Sequence, residues 1–100
     1  MLVKVLIKRR FQKGKKKEIT ALMNEFRSGA MNRPGYISGV TMTKYDDPLT
    51  LMVIATWENV EDWLAWRDSD ARKRFDQMIE VYQIGATEYE TYIMGTSPMA

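Results

Sequence analysis

An α+β fold is predicted for this chain of 100 residues by three observations. Four apolar-rich runs of strand length are separated by two longer stretches whose apolar residues recur at helical spacing. Glycine, proline and Asx residues fall at each junction. The resulting order, βαββαβ, leaves only a three-residue turn between the second and third strands, the spacing of an antiparallel hairpin.

Leu2 to Arg10 has its lysines interleaved with apolar residues and reads as the first strand. Lys13-Gly14 turns the chain into a helix from about Lys15 to Met31, on which Ile19, Leu22, Met23, Phe26 and Ala30 share one face. Asn32-Arg33-Pro34-Gly35 ends that helix, because proline restricts its predecessor and lacks an N–H. Tyr36 to Tyr45 is the second strand, Asp46-Asp47-Pro48 the turn, and Leu49 to Trp57 the third strand. Asn59 is placed to cap a helix that begins with Glu61 and Asp62 near the positive end of its dipole and runs to Arg67. Ser69-Asp70 breaks and restarts it. The continuation carries Ala71, Phe75, Met78, Ile79 and Tyr82 on one face, Gly85 closes it, and Ala86 to Met94 is the fourth strand. Residues 95–100 read as a frayed tail, and residues 2–94 as one domain. This is the element order of a ferredoxin-like sandwich, with the helices on one face of a four-stranded antiparallel sheet.

The third strand adds a constraint. Leu49, Leu51, Val53 and Ala55 point one way and Met52 and Ile54 the other, whereas a sheet with one wet face alternates apolar with polar residues. Helices cover one face only. A second copy packed sheet to sheet about a two-fold axis would cover the other, so a homodimer is expected.

Composition narrows the chemistry. There is no cysteine and no histidine, which removes disulfides, the usual zinc ligands, thiol nucleophiles and imidazole acid–base catalysis. No apolar stretch approaches the roughly 20 residues of a bilayer span, and the first strand does not have the layout of a signal peptide, so a cytoplasmic location is expected. Residues 1–17 hold eight basic side chains and no acid, leaving seven basic and thirteen acidic ones in the remainder, a net −6. Such a cluster can meet nucleic acid, but Lys15-Lys16-Lys17 equally reads as the solvated entry to a helix. No strand carries the aromatic pattern of an RNA-binding sheet, so nucleic acid ranks last among the partners.

All three tryptophans lie within Trp57-Glu58-Asn59-Val60-Glu61-Asp62-Trp63-Leu64-Ala65-Trp66, at a strand-to-helix junction. Trp63 and Trp66, three apart, share one side of the helix. Aromatics at helical spacing usually serve as core; three such rings can also line a pocket for a flat apolar molecule.

From Thr56 through Trp57, Glu58, Trp63, Trp66 and Arg67 to Ser69-Asp70, the chain resembles the antibiotic biosynthesis monooxygenase superfamily, the dimeric α/β-barrel proteins. The likeness extends over residues 2–94 and includes Lys13-Gly14 before the first helix and Arg33-Pro34-Gly35-Tyr36 before the second strand. The superfamily contains quinone-forming monooxygenases, haem-degrading enzymes, signal-degrading proteins and members without known activity. The haem-degrading branch implies an iron-ligating histidine and a first-strand asparagine, and the matching positions here are Asp76 and Ile7. A carboxylate is a poor proximal haem ligand, so that branch is set aside. The quinone-forming branch implies no metal, flavin or other cofactor: a phenolic or anthrone-type substrate loses a proton, and its carbanion reduces dioxygen. On that resemblance Trp57, Trp66, Phe26, Met52 and Phe75 are candidates for the pocket wall, Asp76 for the base and Arg72 for the oxyanion donor. Asp76 and Arg72 also read as exposed helix charges. The competing reading is a small dimer that binds an aromatic ligand without chemistry, with the methionines forming an adaptable wall.

Overall fold

In the computed structural model, which describes residues 1–95, the order is β1 (Val3–Arg10), α1 (Lys16–Met31), β2 (Tyr36–Lys44), β3 (Asp47–Trp57), α2 (Val60–Arg67), α3 (Asp70–Glu80) and β4 (Glu88–Ile93). The strands form one sheet in the order β2-β3-β1-β4, every neighbouring pair antiparallel. This is the predicted α+β ferredoxin-like architecture. Of the expected tail, 96–100 lies outside the described residues. No described helix is long and apolar enough to cross a membrane.

Alternation along β1 sets the two faces of the sheet. Val3, Val5, Ile7 and Arg9 are buried, as is Phe11 just beyond the strand, while Lys4, Leu6 and Lys8 between them are partly exposed. The buried row packs with Val53, Ala55 and Trp57 of β3 and with the helices in two adjoining clusters. Leu6 pairs with Ile54, and Lys8 with Met52; these residues, with Val40 and Met42 opposite them on β2, lie on the face that no helix covers. The expected split of β3 into two apolar faces is therefore present, and Val40 and Met42 remain about half exposed.

The alternation also divides the basic cluster. Lys4 donates to Thr56 Oγ1 at 2.8 Å on the open face, Lys13 and Lys15 to Lys17 are exposed around the turn, and Arg9 is turned into the core.

The cap expected at Asn59 forms, and the break expected at Ser69-Asp70 is a cap as well. Asn59 Oδ1 accepts from the Asp62 N–H at 2.9 Å, and Ser69 Oγ accepts from the Arg72 N–H at 3.2 Å while donating to Trp66 O at 2.7 Å. α2 and α3 are thereby separate helices with a two-residue joint, Asp68-Ser69, between them. Several boundaries differ from expectation, the start of β3 and the end of α3 among them. β3 begins at Asp47 rather than Leu49, because Asp47 pairs with Lys44 and Pro48 lies beyond the part of β3 that pairs with β1, where no ladder N–H is required of it. The last helix stops at Glu80, ahead of Gly85.

Candidate functional site

A cavity of about 60 Å³ lies between the helices and the β2-β3-β1 part of the sheet. It has space for roughly four water-sized spheres. Trp57 from the end of β3, Trp63 and Trp66 from α2, and Phe26 and Ala30 from α1 form much of its wall, and Arg9 and Arg72 line it as well. The strand-to-helix junction that holds the tryptophans together in sequence thus brings them together around one void. Trp57 and Trp63 are tilted with ring centroids 6.1 Å apart, and Tyr36 meets Trp57 edge-on at 5.3 Å.

Arg72 is the most enclosed polar group of the site, at 2% exposure. Its guanidinium carbon lies 5.1 Å from the Phe26 ring centroid, 5.3 Å from Trp63, 5.9 Å from Trp66 and 6.0 Å from Tyr89. Four π faces around one cation partly replace the hydration that burial removes. Arg72 Nε donates to Asp76 Oδ1 at 3.2 Å, one helical turn on, and Nη2 donates to Tyr89 Oη at 3.0 Å. Arg9, 3% exposed, reaches the same Asp76 Oδ1 at 3.4 Å and lies 5.0 Å from Phe26. Burial, and next the like charge of Arg72, push the Arg9 pKa below its ordinary value, against the opposing pull of Tyr89 and Asp76.

The mouth is bordered by Met23, Arg27 and Thr41, which also line an adjoining groove of about 540 Å³ between α1 and the β2-β3 hairpin. The cavity by itself is smaller than an aromatic ring requires. Met23 and Arg27, with long unbranched side chains, are the most adaptable part of that rim.

The wall residues expected from sequence separate into three groups. Trp57, Trp66, Phe26 and Arg72 do line the cavity. Phe75 stands behind it, packed on Phe26 at 5.1 Å between centroids. Met52 is on the opposite face of the sheet, paired with Lys8 and Met42, because in a strand it points away from its neighbours Leu51 and Val53. Asp76 does not line the cavity; its carboxylate is committed to two guanidiniums, and neither Asp76 nor Arg72 is the freely solvated helix charge that the polar run Asp70-Ala71-Arg72-Lys73-Arg74 suggests. Ile7, where the haem-degrading branch would have an asparagine, faces the cavity with an apolar side chain.

Arg9 and Tyr36 belong to the site without having been singled out, and Trp63, one of the three rings read as a pocket lining, stands in the wall although it was not among the named wall candidates. For Arg9 the signal was present: it occupies an inward position in the row Val3, Val5, Ile7, Arg9, Phe11. Gly39 makes room for Tyr36, since a Cβ there would come within 2.6 Å of the Tyr36 hydroxyl. Gly29 does the same for Trp66, whose Cη2 would lie 2.9 Å from a Cβ at that position.

A family model described as antibiotic biosynthesis monooxygenase matches residues 2–78. No curated protein sequence matches the chain. Among solved structures it is similar to a conserved protein from Methanosarcina mazei Go1, with a TM-score of 0.85 at 17% identity over 92% of this chain and 91% of that one. It is also similar to SnoaB, a cofactor-independent oxygenase from Streptomyces nogalater, with a TM-score of 0.83 at 10% identity over 99% and 98% of the two chains. At these identities the likeness is one of fold.

Proposed function

The chain belongs to the antibiotic biosynthesis monooxygenase family, and on that premise we propose that it is a cofactor-independent monooxygenase acting on a phenolic or anthrone-type aromatic substrate. The observation that carries this reading is a buried guanidinium, Arg72, set among aromatic rings at the wall of an apolar cavity. A flat substrate stacks against Trp57, Trp66 and Phe26, and Arg72 holds the oxygen on which negative charge accumulates when the substrate ionises. The carbanion form of the ring transfers electrons to dioxygen; a new C–O bond forms at that carbon, and loss of water leaves a carbonyl. The overall change is CH₂ plus O₂ to C=O plus H₂O, so the substrate itself is the reductant. The enclosure keeps bulk water from the reactive carbanion. Asp76 holds Arg9 and Arg72 in place and is a positioning residue.

Oxygen uptake tests this reading: purified protein supplied with anthrones and naphthols consumes oxygen above the buffer rate, and Arg72→Met loses that activity. Uptake at the buffer rate with every substrate would defeat it. One observation favours a second reading, a ligand-binding protein without chemistry: among the described residues, no aspartate, glutamate or histidine lines the cavity. Saturable quenching of tryptophan fluorescence without oxygen uptake would distinguish that case.

The functional unit in this proposal is a homodimer formed through the open sheet face, where Val40, Met42 and Tyr92 are 55%, 44% and 54% exposed and Leu6, Met52 and Ile54 lie beside them. Sedimentation as a monomer at micromolar concentration would contradict it.

A further inference from the structure

The wall of the cavity carries more positive charge than its neighbours neutralise. Arg9 and Arg72 are both almost wholly buried, and the only carboxylate that pairs with either among the described residues is Asp76. Two guanidiniums against one carboxylate leave a net +1 beside a nearly apolar space. Among the described residues, the buried side-chain donors without a hydrogen-bond partner are Arg9 Nε and Trp57 Nε1, and both residues line this same cavity. Unmet donors and surplus charge at one place are what a bound oxyanion would satisfy.

The other ionisable groups around the space do not supply a base. Tyr36 of β2 lines it, and Arg27 of α1 stands at its mouth. Asp76 of α3 and Tyr89 of β4 bond to the guanidiniums without lining the cavity, and Arg33 lies over Trp66 at 4.9 Å. Among the described residues, no carboxylate or imidazole lines the cavity to receive a proton leaving a ligand here.

We infer that the cavity takes its ligand as an oxyanion on a flat unsaturated ring, the ionised form of a phenol or enol, and that Arg9 and Trp57 are the residues that select the charged oxygen. The guanidinium pair stabilises the conjugate base and the proton passes to solvent, so ionisation of the substrate needs no side-chain base. This deepens the monooxygenase reading and rests on its placing the substrate in this cavity.

The test uses 4-nitrophenol, whose ionisation is visible by absorbance, with the full chain under argon. The expected result is that the bound probe ionises at lower pH than the free one, and that 4-nitroanisole, which cannot ionise, binds at least about tenfold more weakly, the loss expected for one charge-assisted hydrogen bond. Arg9→Met leaves Arg72 paired with Asp76, a neutral set that the core can hold; it should weaken phenolate binding by about tenfold or more and abolish the shift in ionisation. Equal binding of the two probes, an unshifted ionisation, or an Arg9→Met protein that binds phenolate as the parent does would overturn the inference. Tighter binding of 4-nitrobenzoate than of 4-nitrophenolate would overturn the phenolate assignment in favour of a carboxylate ligand. Since dioxygen is absent, failure here is distinct from failure of the monooxygenase reading, which the oxygen-uptake assay decides separately.

Discussion

Gly29 and Trp66 offer a test of how the cavity wall is built. Gly29 lies inside α1 with ordinary helical backbone, where alanine would be favoured by about 1 kcal/mol. An alanine Cβ at that position, however, would stand 2.9 Å from Trp66 Cη2, 3.6 Å from Trp66 Cζ2 and 3.3 Å from Phe75 Cε2. Trp66 is fully buried and Arg33 covers one face of it, so the indole cannot swing out of the way, and the overlap should cost about 1–3 kcal/mol. Gly29→Ala alone is therefore expected to destabilise by on the order of 1 kcal/mol after the helix gain is counted. Trp66→Phe removes the two indole atoms at that contact and leaves a void; full truncation of a core tryptophan costs about 3–5 kcal/mol, and roughly a third of that applies here. In the Trp66→Phe background Gly29→Ala meets only Phe75, which can yield by a few tenths of an ångström. Its effect should change sign and become stabilising by up to about 1 kcal/mol. Urea unfolding followed by circular dichroism on the four proteins reads the coupling, expected near 2 kcal/mol. Additivity within about 0.5 kcal/mol would refute the close approach of α1 to Trp66.

Opposite effects are expected from the two sides of the buried ion cluster. Asp76→Asn leaves Arg9 and Arg72 facing each other without a counter-charge and should lower stability by about 2–4 kcal/mol, somewhat less than for a wholly buried pair because Asp76 is 25% exposed. Arg9→Met should cost under about 1 kcal/mol or stabilise, and chemical denaturation of both variants checks the contrast. Gly35→Ala should cost more than about 2 kcal/mol, read as a drop in Tm: Gly35 has φ +81°, and a Cβ there would run into the Asp62 carboxylate at the start of α2. Asp47 accepts from Thr50 Oγ1 at 2.7 Å, and that bond, with Arg10 beside it, holds the Asp47 carboxyl below its ordinary range. A depressed carboxyl pKa contributes stability that is complete above the unfolded-state value and is lost as pH falls through the folded-state value. Thr50→Val should therefore lower stability at all pH values above the unfolded-state value, neutral pH included, and move the midpoint of acid unfolding to higher pH, which urea unfolding across a pH series reads.

Much of this architecture could be read from one dimension because its causes are local. The cap at Asn59, the break at Ser69-Asp70, the stop at Arg33-Pro34-Gly35 and the interleaving of lysines with apolar residues in β1 each depend on residues within a few positions of one another, and local hydrogen bonding and backbone restriction act at that range. The two-sided apolar pattern of β3 likewise follows from period two alone. The tryptophan cluster was legible for the same reason, since Trp57, Trp63 and Trp66 are close in sequence and meet around one cavity.

Tertiary structure decided the polar part of the site. Arg9 and Asp76 are 67 residues apart, and only the packing of α3 over β1 makes them an ion cluster; read locally, each belongs to an exposed charge run. The same packing set Asp76 against the two guanidiniums rather than in the cavity lining, whereas the far face was already assigned to Met52 by the pleat of β3, which period two alone dictates. An alternation states which side of an element a residue takes, but not what comes to stand against it. The charge, the orphan donors and the enclosure that give this cavity its chemistry arise from groups that meet only when distant segments pack together.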